Sequence, residues 1–185
     1  MNEDLKQAYE LAKTESSSLV QITPALLQRL NATLMRTTSS VHSVMGGSFD
    51  SSKGDFRLCG VTAGVGGHSY MNYLKVLAKV DELCAILQAK QKTVGTLREK
   101  YELSFNAHLN LVTIHPWVGG NGYHLFPTKI FKEDREEYIL SLRQCQDEET
   151  NQVFLDFMAR QLKKSLSLEI ERFNASQKRG FSFMF

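Results

Sequence analysis

The residue types best suited to chemistry lie in one stretch: Thr113, Ile114, His115, Pro116, Trp117, Val118, Gly119, Gly120, Asn121 and Gly122 in direct succession. Proline stops a helix that precedes it. Glycine and asparagine tolerate left-handed backbone, so successive N–H groups of this loop can point into one concavity. A helix starting behind the loop would add its N-terminal dipole to the same hollow. The product is an anion cradle with a titratable imidazole at its rim. That equipment suits phosphoryl or nucleotidyl transfer to a hydroxyl, with main-chain donors on the phosphates and histidine taking the hydroxyl proton. A plain glycine-rich turn after a histidine that caps a helix fits the same residues, and spacing alone leaves both open.

The elements that must position this stretch are helical. Leu5, Ala8, Tyr9, Leu11 and Ala12 predict a short amphipathic helix, interrupted at Ser16-Ser17-Ser18. Thr23 before Pro24 is an N-cap followed by proline at the first helical position, and Leu26, Leu27, Leu30 and Leu34 form one stripe over 24–37. Leu74, Leu77, Val80, Leu83, Cys84 and Leu87 share a further face, with Cys84 acting as a small buried hydrophobe. Leu97, Tyr101, Phe105, Leu109 and Val112 predict a core helix over 96–114 that ends on His115. Residues 134–144 predict another helix, and Val153, Phe154, Phe157, Met158, Leu162, Leu166 and Ile170 a long final one. Between them, residues 39–72 hold Gly46, Gly47, Gly54, Gly60, Gly64, Gly66 and Gly67. Residues 55–70 read as a loose hairpin or flap, or equally as a functionless surface loop. The expected fold class is all-α with one small β-hairpin.

Composition bounds the rest. A chain of 185 residues fits one domain that buries roughly 70% of its unfolded surface. With 42% hydrophobic and 23% charged residues it is neither disordered nor fibrous. The formal charge of +2, with no block of one sign, argues against a nucleic-acid partner. No apolar run reaches the about 20 residues of a membrane span, and the polar start Met1-Asn2-Glu3-Asp4 carries no signal-peptide pattern. Cys59, Cys84 and Cys145 are an unpaired, widely spaced trio, as in a reduced cytoplasmic setting. The expected organisation is an N-terminal helix and connection over 1–22, a core domain over 23–175 and a tail over 176–185.

His115-Pro116-Trp117 followed by Gly120-Asn121-Gly122 resembles the signature of Fic proteins, His-Pro-Phe-x-x-Gly-Asn-Gly-Arg. The preceding Leu111-Val112-Thr113-Ile114 and the upstream Gly54-Asp55-Phe56-Arg57 through Ser69-Tyr70 are similar to that family too, so the resemblance spans about 26–157. It implies a compact helical domain with a hairpin flap that transfers AMP from ATP, using Mg²⁺, to a Ser, Thr or Tyr hydroxyl exposed on a protein. His115 would then be the base, Asn121 would orient the attacked phosphate, and Gly119, Gly120 and Gly122 would belong to the nucleotide-binding loop. Val61, Thr62, Ala63 and Gly64 in the flap would hold the target segment by strand addition.

The pattern also departs from the family. Gly119 stands where the family has Asp or Glu to hold Mg²⁺, so either phosphates and water alone hold the metal or the protein is a weak or inactive member, and no residue is assigned to it. Tyr123 and Phe126 stand where arginines would clamp phosphates. Residues 123–129 resemble the segment that the family carries beyond its next helix, so that helix is either deleted or outside the numbered chain. A second reading therefore keeps the fold without catalysis, as a degenerate module that binds nucleotide or a protein. A third transfers another phosphate-linked group, UMP or phosphocholine. Ser165 to Glu169 matches half of the family's inhibitory pattern, but Ile170 breaks it, and Glu169 reads as a solvated helix face. His108, His115 and His124 lack a zinc-ligand spacing. Arg57 and Lys53 near the flap could meet phosphates but read more simply as solvated residues. His42 and His68 read as loop residues, with His68 able to reach a substrate from the flap, and a homo-oligomer stays open.

Overall fold

The computed structural model describes residues 3–17, 21–37, 41–62, 69–115 and 130–181, with side chains through residue 176. Among the described residues six α-helices and one two-stranded antiparallel hairpin make an all-α fold with a small β element. The helices are α1 (Glu3–Ser17), α2 (Pro24–Met35), α3 (Val76–Gln91), α4 (Leu97–Ile114), α5 (Arg135–Asp147) and α6 (Gln152–Phe181). The chain forms two compact units, residues 1–125 and 126–185.

The first unit carries the candidate site. The Thr23 side chain accepts from the N–H of Leu26 at 3.2 Å, with Pro24 opening α2. At α4, Thr96 and Glu99 form a reciprocal capping box. Each interaction satisfies N–H groups that a helix start leaves without partners. One face of α3 (Val76, Val80, Leu83, Cys84, Leu87) packs with Ala107, Leu111 and Ile114 of α4 and with Ile22 and Leu27. Burial pushes the Cys84 thiol up to about 11, in keeping with a small core hydrophobe. Asp4 of α1 is buried and accepts from the side chain of Arg36 and the N–H of Thr37, tying α1 to the end of α2.

Strands β1 (Val41–Val44) and β2 (Gly47–Asp50) pair His42 with Phe49, whose rings stack at 4.9 Å. This hairpin lies upstream of the 55–70 segment expected to form one. Farther on, Thr62 and Ser69 form an isolated antiparallel bridge, and the Tyr70 N–H donates to the Val61 carbonyl at 3.0 Å. The base of the expected flap is therefore paired. Between the hairpin and the flap, Gly54 has φ +76°, and a Cβ there would lie 2.0 Å from the Gln28 carbonyl oxygen. Only glycine permits both the left-handed turn and this contact with α2.

In the second unit Phe154, Phe157 and Met158 of α6 are buried, as are Ser141 and Cys145 of α5. Tyr138 lies against the Phe154 and Phe157 rings at 6.2 and 6.0 Å. Buried Gln161 accepts from the Phe131 N–H and donates to Asp134, which also pairs with Lys164. Beyond Gln161 no described residue of α6 is buried, and Leu166, Ile170 and Phe173 stand exposed. The helix nevertheless runs on to Phe181, into the segment assigned to a tail, because no proline or strong breaker precedes Gly180. Glu169 pairs with Arg172 on an exposed face, as expected of a solvated helix surface.

Candidate active site

His115 is the C-cap of α4. Its backbone leaves the helix at φ −143°, ψ 90°, while its N–H still donates to the Leu111 carbonyl at 2.8 Å. Thr113 and Ile114 are the last helical residues, so the helix delivers the imidazole to its own end, as the sequence pattern requires. The ring is 0% exposed. Its Nε2 accepts from the main-chain N–H of Arg57 at 3.2 Å, and the Phe56 ring meets it edge-on at 5.6 Å. Burial and the neighbouring Arg57 cation push the imidazole down to about 4, against a weaker opposing hydrogen bond to its own main chain. The ring is neutral at neutral pH.

Arg57 is not the solvated residue its sequence neighbourhood suggested. It is 1% exposed. Its guanidinium donates to the carbonyls of Cys59 at 2.7 Å and Ile114 at 3.3 Å, and also to the carbonyl of Met71. These acceptors lie two residues along its own segment, at the end of the helix that carries His115, and just past the returning limb of the flap. Burial lowers its basicity. No side-chain signal could have revealed this role, because all three acceptors are main-chain atoms.

Of the residues assigned to the site, His115 is at the helix end, and Val61 and Thr62 are at the paired base of the flap, half-buried and exposed respectively. Gly119, Gly120, Asn121 and Gly122 lie outside the described residues, as do Ala63 and Gly64. So do Pro116, Trp117, Tyr123, His124, Phe126 and His68. His108 is buried within α4, and His42 sits on β1 rather than in a loop. The shortened segment after Gly-Asn-Gly lies outside the described residues as well. Among the described residues no group of three His, Cys, Asp or Glu could hold a metal ion, and no helix is long and apolar enough to cross a membrane.

In this helical unit a long helix delivers a histidine to the start of the glycine-rich stretch of sequence, and the flap segment is paired at its base. The Fic/DOC family model matches residues 21–125, more than half of the chain and including the whole of residues 115–122, and the protein belongs to that family. Members of the family are commonly transferases. No curated protein matches the chain, and no solved structure matches it.

Proposed function

We propose that the protein is an adenylyltransferase that moves AMP from ATP to a Ser, Thr or Tyr hydroxyl of a target protein. The observation that carries this reading is His115 at the C-terminal end of α4, leading directly into Gly119-Gly120-Asn121-Gly122 inside the matched family span. His115 takes the proton of the target hydroxyl. The oxygen then forms a bond to the α-phosphorus of ATP, and the bond to the bridging oxygen breaks, releasing pyrophosphate. Gly120 and Gly122 supply main-chain donors to the phosphates, Asn121 orients the one under attack, and residues 61–64 hold the target segment. The task of the protein is positioning and charge stabilisation.

Mg²⁺ belongs to the family's chemistry, but the donor set of this motif does not fit it. Gly119 brings no carboxylate, and Asn121 offers only a neutral amide oxygen to a hard dication. Replacing the family's arginines by Tyr123 and Phe126 removes positive charge as well. These substitutions favour a second reading, a module that binds nucleotide or a protein without transferring anything. Transfer of UMP or phosphocholine from the same cradle is the third.

Incubation with α-labelled ATP, Mg²⁺ and a lysate tests the first reading. Label should appear on protein with the wild type, and His115→Ala should lower its rate by about a hundredfold or more. Equal labelling by the two forms overturns the role of His115. Calorimetric titration with ATP separates nucleotide binding without transfer from pure protein interaction, which gives no heat with ATP.

A further inference from the structure

A neutral imidazole has one ring nitrogen able to accept a proton, and a main-chain N–H can only donate. Because the Arg57 N–H donates to Nε2 of His115, Nε2 is the accepting nitrogen and Nδ1 carries the proton. An incoming hydroxyl therefore meets a ring with no nitrogen ready to take its proton. The ring is also wholly covered. We propose that residues 56–58 form a latch over His115: the Arg57 main chain occupies the accepting nitrogen, the Arg57 side chain ties the segment down, and His115 becomes a base only when that segment lifts.

The side chain has the right connections for a latch. Its guanidinium grips Cys59 ahead of it, Met71 beyond the flap and Ile114 at the end of α4. One residue thus joins both limbs of the flap to the helix that carries the histidine. The hold is also incomplete. Among the described residues the buried Nε has no hydrogen-bond partner and no carboxylate is paired with the cation. A buried cation held by neutral carbonyls, with one donor orphaned, makes the closed arrangement costly and so able to open. Arg57 is the only charged group identified against the ring among the described residues, so lifting the segment removes both its cover and its nearest charge. A target segment entering along residues 61–64 would be the natural agent of opening. That catalytic consequence rests on the adenylyltransferase reading, whereas the latch does not.

The experiment reads the ring directly. Long-range nitrogen–proton spectra of the full chain, labelled at histidine and assigned with His115→Gln, are recorded from pH 4 to 8. In the wild type His115 should carry its proton on Nδ1 at pH 7 and stay neutral down to about 4. In Arg57→Met the ring should titrate closer to the ordinary histidine value of about 6.5, with Arg57→Lys between the two. A protonated Nε2 in the wild type overturns the proposal, as does a ring unchanged in the Arg57 variants. If Arg57→Met does not fold, the wild-type tautomer and Arg57→Lys decide the question alone. In the labelling assay, a folded Arg57→Met should label faster than the wild type, because a larger share of molecules is open. Ring behaviour as expected with no labelling by any form would sink the transferase reading and leave the latch standing. Labelling that needs His115 while the Arg57 variants match the wild type would sink the latch alone.

Discussion

A histidine buried neutral has a thermodynamic signature independent of its chemistry. His115 titrates at about 4 when folded and near 6.5 when the chain is unfolded. Between those values the unfolded chain binds the extra proton, so stability falls as pH drops from about 6.5 toward 4 and is fully present above that window. The loss attributable to this one group approaches about 3 kcal/mol. Denaturant unfolding of the wild type and His115→Gln across the window should show the steeper fall only in the wild type. Parallel curves would mean that the ring is not buried neutral in solution. The histidine itself was legible from sequence, because proline and glycine punctuate the chain just behind it. Its burial was not, because it depends on Phe56 and on the main chain of Arg57, more than fifty residues away.

At the scale of elements, the connection between hairpin and flap depends on Gly54. Substitution by alanine forces a side chain into a left-handed turn and drives its Cβ against the Gln28 carbonyl. The conformational strain alone costs about 1–2 kcal/mol, and the steric clash adds to it. Gly54→Ala should therefore lower the denaturant midpoint clearly, whereas Gly60→Ala, where a Cβ meets nothing within 4 Å, should shift it little. Equal effects would refute the close approach to α2. The helices themselves were easy to read, since Thr23-Pro24 and Thr96 with Glu99 are side-chain caps and the apolar stripes repeat every three to four residues. The β1–β2 hairpin is not legible in the same way. Its strands, Val-His-Ser-Val and Gly-Ser-Phe-Asp, bury only Phe49, so no period-two pattern stands out.

At the scale of the whole molecule, family membership was legible because a histidine, a proline and Gly-Asn-Gly at fixed spacing form a pattern that few folds share. What the protein binds or acts on was not, because no residue pattern in the chain specifies it. The long final helix carries a separate consequence. Its first turns are anchored by Phe154, Phe157, Met158 and Gln161, while from Leu162 onward its described residues lack buried anchors. An unsupported helical stretch of about fifteen residues is marginal in water. Deuterium uptake should therefore be graded along α6: slow around Met158 and faster by orders of magnitude near Phe173, with the two ends exchanging through separate openings. Uniform protection along the helix would show instead that something covers its distal half in solution.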